Sequence, residues 1–342
     1  MSNKVLVITK PALGRYSADC LRLEEHKTVP LEPGEVRLRT IYLSLDPTNR
    51  NWLKLGNATT VVDKVDVTLK VGDVMLGQML GVIEESRADG YNPGDLVGAL
   101  ARWETHPVVK AKLVRRITPA PNEPFSTYLS LFSHIGRAAL IGMKHVLDVQ
   151  AGETVLVSGA AGATGSVAVG IAKARGCRVV GIAGGAAKCA LVTDEFGADA
   201  AIDYKNEDVG EALGRICPEG VDAFFDNVGG QTLDAALLHM NNCGRIAVCG
   251  VMSDYDNATP EAGYGVRNLF RVLIRRLRIE GFLADQAEEE PLIEELRGLF
   301  QAGAIKHRPH IVQGFQDAPE HLGLLMRGQN EGKLMVQVSP EV

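Results

Sequence analysis

From residue 151 onward the chain repeats apolar strand, short turn and helix, and this repeat limits the fold more than any other feature. Parallel strands cannot be joined by tight turns; each return to the same end of the sheet needs a crossover of a dozen or more residues, usually a helix. "ETVLVSG" reads as a first strand, "GSVAVGIAKARG" as a helix stopped by Gly176, and "CRVVGIAG" as a second strand. "AKCALVTDEFG" is the next helix, followed by the strands "DAAIDY" and "VDAFFDNVGG", the helix "TLDAALLHMNNCG", and the strands "RIAVCGV" and "RIEGFLA". The pattern predicts an α/β fold with a doubly wound parallel sheet.

The first 125 residues have a different rhythm. Short alternating runs such as "EVRLRTIYLSL", "GDVMLGQMLGVIEES", "NPGDLVGAL" and "VVKAKLVRRI" are separated by turns and suit a small β-rich barrel. Pro119, Pro121 and Pro124 break the chain, and "STYLSLFSHIGRAALIGMKHVLDV" then carries helical spacing without internal proline. "PLIEELRGLFQAG" closes the second domain, while "HIVQGF", "EHLGLLMRG" and "KLMVQV" return to the first. The expected domains are 1–125 completed by about 312–342, and 126–311. A chain of 342 residues with 46% hydrophobic content can bury two such cores.

A net charge of −6 argues against a sequence-independent hold on nucleic acid or an anionic membrane, both of which need a basic field. The N-terminus lacks a leader pattern and no run of eighteen apolar residues occurs, so a cytoplasmic location is expected. The six cysteines are dispersed and never form C-x-x-C, which suggests buried thiols rather than disulfides or a zinc knuckle. Arg267, Arg271 and Arg275, with Arg276 and Arg278 beyond, share one possible helical face; a solvated face or interface rim suits them better than a phosphate site.

Chemistry concentrates in "LVSGAAGATGS", where Gly159, Gly162 and Gly165 lie between a strand and a helix. Glycines let a pyrophosphate approach the amides at the helix N-terminus, where the helix dipole favours negative charge. The second strand ends at Ala183-Gly184-Gly185, where an NAD-specific chain places an Asp or Glu for the adenosine ribose. No carboxylate stands there. Lys188 follows on the next helix and Tyr204 ends the third strand; read as ligands they meet a ribose 2′-phosphate and indicate NADPH, and read as structure they are a solvated lysine and a sheet-edge aromatic.

"YLSLDPTNR", "AAGATGS", "FDNVGG", "GRIAVCG" and "GQNEGK" stand in an order that resembles the zinc-independent medium-chain dehydrogenase/reductase family. Within it the chain is similar to the branch of prostaglandin reductases, plant alkenal double-bond reductases and curcumin-reductase-like enzymes. The resemblance runs over nearly the whole length. It implies a GroES-like β-barrel catalytic domain built from both chain ends, a Rossmann domain, and a cleft holding NADPH. Carried over, it assigns Gly162, Ala163, Thr164, Gly165 and Ser166 to the pyrophosphate, Lys188 and Tyr204 to the 2′-phosphate, and Asn227 to the ribose. Cys249, Gly250, Val251 and the stretch to Tyr255 would line the nicotinamide side, Phe282, Leu283 and Ala284 the far wall, and Asn330 a closing contact. A homodimer joined through the edge strand near "RIEGFLA" is also implied.

No metal ligands are assigned, because only Cys20 lies in the first 176 residues, no G-H-E triplet occurs, and His106, His307 and His310 read as loop or interdomain histidines. Hydride transfer without a Lewis acid suits an alkene conjugated to a carbonyl, which gives an enolate needing a donor on oxygen and a proton on the α-carbon. Tyr255, the cofactor's ribose hydroxyl and water are the candidate donors. The expected substrate is a hydrophobic enal or enone; a quinone reductase and a non-catalytic NADPH-binding protein are the alternatives. The chain departs from its branch at Thr48 and Asn49, where relatives have Tyr-Met in D-P-Y-M-R, and at Arg137-Ala138-Ala139-Leu140, where many have L-T-A-Y. Thr48, Asn49 and Trp52 are the candidate substrate residues; Trp52 and Trp103 could wall the pocket, with packing the safer reading for both.

Overall fold

A computed structural model describes residues 2–55, 60–62, 65–257, 259, 262–284 and 289–342. The chain divides into two compact units, Met1–Leu129 with Pro309–Val342, and Ser130–Arg308.

In the first unit β1 (Ser2–Ile8) and β2 (Leu21–Lys27) form an antiparallel ribbon. β3 (Glu35–Ser44) leads into a short helix, α1 (Pro47–Trp52), and the hairpin β4 (Thr60–Val62) and β5 (Val65–Val67). β6 (Leu76–Ser86), β7 (Leu96–Arg102), β8 (Val108–Lys110) and β9 (Val114–Arg116) follow. β3, β6, β7 and β9 pair antiparallel in that order, with register shifts between β3 and β6 that bend the sheet. "VVKAKLVRRI" is two strands rather than one, because a 3-10 turn at Ala111–Leu113 sends β8 to β3 and β9 to β7. Trp103, Leu38, Met75 and Leu43 are fully buried in this core.

The second unit begins with a departure from the expected long helix. Ser133 caps α2 (His134–Ile141), accepting from Ile135 N–H, and a π turn over Gly142–Val146 ends it; the preceding residues Phe125–Leu129 form a 3-10 turn. β10 (Thr154–Ser158), α3 (Ala163–Ala174), β11 (Arg178–Ala183), α4 (Ala186–Ala190), β12 (Ala200–Asp203) and α5 (Val209–Ile216) then alternate. β13 (Val221–Asp226), α6 (Gly230–His239), β14 (Met240–Val248), α7 (Phe270–Arg275), β15 (Arg278–Gly281) and α8 (Glu289–Gln301) complete it. The six strands are parallel in the order β12-β11-β10-β13-β14-β15. Connections leave β10 toward one side and return across to β13, so the carboxyl ends of these two strands form the crevice where open α/β sheets bind ligands.

Two expectations are corrected here. "MNNCG" is not helical: α6 ends at His239, and Met240 pairs with Val221 while Cys243 takes a left-handed φ of 61° at an irregularity in the ladder. Of the three arginines expected on one helix face, Arg271 and Arg275 lie four residues apart on α7, but Arg267 does not join them, because α7 starts only at Phe270 and Arg267 stacks on the Tyr264 ring at 5.2 Å; Arg276 caps the helix at φ 52°.

The tail returns to the first unit through β16 (Pro309–Gln313), α9 (Ala318–Met326) and β17 (Lys333–Gln337), with β17 antiparallel to β3. Among the described residues no helix is long and apolar enough to cross a membrane.

Candidate active site

The loop from β10 to α3 is a backbone cradle. Gly159 has φ 59°, Gly162 N–H donates to Gly159 O at 2.9 Å, and Ala160 N–H donates to Ile182 O at 3.0 Å. A Cβ on Gly165 would lie 2.2 Å from Gly159 O, so only glycine lets α3 start this close to the strand. No side chain caps α3, whose first internal bond is Ser166 N–H to Gly162 O at 3.0 Å; the amides of Ala163, Thr164 and Gly165 precede it. Ser166 is 6% exposed, and its hydroxyl turns back to Ala163 O.

At the ends of β11 and β12, Asp203 stands in register with Ala183. Its Oδ1 accepts from Gly185 N–H at 2.7 Å and Lys205 N–H at 3.1 Å, and its Oδ2 accepts from Asn206 Nδ2 at 2.7 Å. These donors, Gly185 foremost, hold the carboxyl below the usual range. The strand end that lacks an acid in sequence therefore has one from the neighbouring strand, fully engaged with the turn. Tyr204 is 51% exposed and, like the Lys205 stem, occupies the space beside Gly184. Lys188 is half-buried on α4.

The crevice between β10 and β13 is tied by a buried network. Ser158 Oγ donates to Asp226 Oδ1 at 2.7 Å and accepts from Asn227 N–H at 2.8 Å, while Asn227 Nδ2 donates to Ser158 O at 2.7 Å. Val228 and Gly229 N–H also donate to the Asp226 carboxylate. Burial pushes the Asp226 carboxyl up despite these donors. Cys249 and Gly250 N–H both bond Asp226 O, and burial beside that carboxylate pushes the Cys249 thiol up to about 12. Val251 is 39% exposed.

Tyr255 follows a 3-10 turn at Met252–Asp254 whose Met252 and Ser253 N–H groups bond Asn227 O and Val228 O. The far limb of the same loop is fixed by Asp234 of α6, which accepts from Tyr264 Oη at 2.9 Å, Arg267 N–H at 2.9 Å and Asn268 N–H at 2.8 Å. Phe282, 7% exposed, packs edge-on against Phe225, whereas Leu283 is 55% exposed and Ala284 half-exposed.

In the first unit Thr48 is half-buried on α1. Asn49 is 1% exposed and its amide serves a capping box: Oδ1 accepts from Asp46 N–H at 2.7 Å and Nδ2 donates to Leu76 O at 3.1 Å. Trp52 is 4% exposed within the apolar core. Asn330 is 6% exposed, donating to Gly332 O at 2.9 Å.

Family models described as "Zinc-binding dehydrogenase" and "N-terminal domain of oxidoreductase" match residues 163–298 and 4–117. Prostaglandin reductase 1 of Bos taurus is 35% identical, the match covering 92% of this chain and 93% of that one. The 2-alkenal reductase (NADP(+)-dependent) of Nicotiana tabacum is also 35% identical, with 92% and 90% covered. The structure of CurA from Vibrio vulnificus in complex with NADPH aligns with a TM-score of 0.90 at 30% identity, covering 99% of this chain and 100% of that one. The chain belongs to the medium-chain dehydrogenase/reductase family. Its fold is that of the family, a parallel Rossmann sheet with a mostly antiparallel N-terminal unit.

Despite the wording of one family model, no group of three or more His, Cys, Asp and Glu among the described residues is placed to hold a metal ion. His106 is bonded to Thr105 Oγ1 and His310 accepts from Glu331 N–H. His307 Nδ1 is 2.8 Å from Ser130 Oγ, and burial pushes it down to about 4. In this medium-chain reductase the sequence reading missed Lys205, the Asp203 brace, the Ser158–Asp226 tie and the Asp234 clamp. Only the cap had a local signal, since Asp46-Pro47 followed by Asn49 has capping-box spacing with proline at the first helical position.

Proposed function

We propose that the protein is an NADPH-dependent reductase of the C=C bond conjugated to the carbonyl of hydrophobic enals and enones. The observation that carries this reading is a dinucleotide cradle and a phenol-bearing loop tied to the same strand ends, β10 and β13, through Asp226 and Asn227. The uncapped start of α3 and the space kept by Gly165 fit a pyrophosphate. The names of the related alkenal and prostaglandin reductases, and the NADPH held by CurA, support the same reading.

NADPH, when bound, supplies a hydride to the β-carbon. Gly162, Ala163, Thr164, Gly165 and Ser166 hold its pyrophosphate and Lys188 and Tyr204 its 2′-phosphate. Asn227 commits its amide nitrogen to Ser158, which leaves the oxygen to accept from a ribose hydroxyl. Cys249, Gly250, Val251, Phe282, Leu283 and Ala284 flank the nicotinamide, and Asn330 closes on it. Thr48 remains as the substrate residue of the first unit, since Asn49 is spent on the cap and Trp52 is packed in the core. Tyr255 either donates to the oxygen on which negative charge develops or relays to the α-carbon a proton that water restores to the phenol.

Tyr255→Phe is expected to lower kcat with a trans-2-alkenal about 100-fold while leaving the NADPH dissociation constant unchanged. Retained turnover would transfer the proton to water or a ribose hydroxyl. Faster NADPH oxidation with a quinone than with any enal or enone would make the protein a quinone reductase instead.

We also propose a homodimer joined across β15. That edge strand is exposed along its length, and next to it Leu269, Phe270, Leu273 and Ile274 are 57%, 68%, 71% and 46% exposed. An apolar patch beside an unpaired edge favours a second copy of the same surface. Light scattering should give a dimer for the native protein and a monomer for Leu273→Glu; a monomeric native protein rejects the proposal.

A further inference from the structure

The corner between β11 and β12 holds a cation that the reading above does not use. We propose that Lys205 is a second charge for the 2′-phosphate of the cofactor and so a determinant of NADPH over NADH; this rests on the NADPH reading.

The corner is built to carry that side chain over Gly184. A Cβ at Gly184 would meet Tyr204 Cε1 at 2.8 Å and Lys205 Cε at 3.0 Å, so the glycine leaves room for the phenol ring and the lysine stem together. This is where an NAD-specific chain carries its ribose carboxylate. The turn beneath is held on several sides: Tyr204 N–H donates to Ala183 O at 3.2 Å, Lys205 N–H to Asp203 Oδ1 at 3.1 Å, and Asp203 N–H to Glu207 Oε1 at 3.0 Å. Lys205 thus projects from a fixed platform, which reduces the ordering cost of meeting a ligand.

The donors of the corner can meet an anion even though Asp203 and Glu207 stay ionised beside them. Asp203 is engaged by Gly185, Lys205 and Asn206 donors, and Glu207 is paired with Arg215 at 2.7 Å. The Lys205 ammonium makes no ion pair or hydrogen bond among the described residues and acts on the Asp203 carboxylate through its charge, so its donors remain for a ligand. An ammonium over a glycine gap attracts a phosphate and offers nothing to a bare ribose hydroxyl pair that an acceptor would recognise.

The test is fluorescence titration of the full-length protein with NADPH and with NADH, repeated at several salt concentrations, for the native chain, Lys205→Ala and Lys205→Arg. Lys205→Ala should weaken NADPH about fivefold, leave NADH within about twofold, and flatten the salt dependence for NADPH alone; Lys205→Arg should retain most of the affinity. A native protein that prefers NADPH, together with an unchanged NADPH affinity in Lys205→Ala, overturns the role of Lys205 and leaves the cofactor reading intact. Equal native affinity for the two nucleotides rejects the cofactor reading, and the proposal with it.

Discussion

Gly165→Ala is expected to weaken NADPH binding by more than about 100-fold and to lower the stability of the second unit by about 1–3 kcal/mol. The added Cβ would stand 2.2 Å from Gly159 O, 2.8 Å from Gly159 C and 2.9 Å from Ala160 Cα. All three are backbone atoms, so no rotamer change relieves the overlap. The loop is also tied at Ala160 to Ile182 and at Gly162 to Gly159, so moving it breaks bonds at the end of a buried strand. Gly162 provides the contrast, since a Cβ there would meet only Gly159 O at 3.1 Å; alanine at 162 should cost much less. Isothermal titration with NADPH and thermal unfolding with and without it test the pair. Native-like binding by Gly165→Ala would show that the pyrophosphate sits elsewhere.

What could be read from the sequence divides by range. The strands of the second unit were legible because buried parallel strands are continuous apolar runs, and the glycine loop because all its constraints lie within a few residues. The end of α6 was not legible, because "MNNCG" has acceptable helical composition and leaves the helix only when Met240 pairs with Val221, a strand partner distant in sequence. The same holds for the site. Lys188 and Tyr204 are proposed from position on their own elements, whereas the carboxylate that braces Gly185 comes from Asp203, 18 residues away, and the tie between Ser158 and Asp226 spans 68 residues. Reading the end of β11 as a place without an acid was correct for that strand and incomplete for the sheet. The acid is there, kept ionised by its hydrogen bonds to the turn, so the corner carries a carboxylate beside its lysines. Asn49 shows the converse: compared with relatives it looked like a substrate substitution, whereas its own neighbours Asp46 and Pro47 make it a cap.

Lys333→Ala is expected to destabilise the first unit by about 3–5 kcal/mol, the largest stability effect of any single change considered. Its ammonium, 2% exposed, donates to Asp46 Oδ1 at 2.6 Å and to Leu45 O at 2.9 Å, joining the returning strand β17 to the start of α1 across 287 residues of chain. Burial lowers the Lys333 pKa even though Asp46 opposes it, so desolvation outweighs the attraction and the pair holds the tail in place at a cost. Removing the lysine alone strands the Asp46 carboxylate, which Ser44 Oγ and the α1 amides then have to satisfy. Removing both charges in Asp46→Asn with Lys333→Met avoids that penalty and should recover at least half of the loss. The two tryptophans, Trp52 and Trp103, are both buried in the first unit, so urea unfolding followed by their fluorescence reports that unit specifically. A loss below about 1 kcal/mol in Lys333→Ala would remove the ion pair as the tail's fastening, while a double variant no better than the single would assign the loss to packing around the lysine stem. If the expected pattern holds, the helix that carries Thr48 is set in place by the last strand of the chain, and truncation before Lys333 should disturb the substrate residue before it disturbs the nucleotide site.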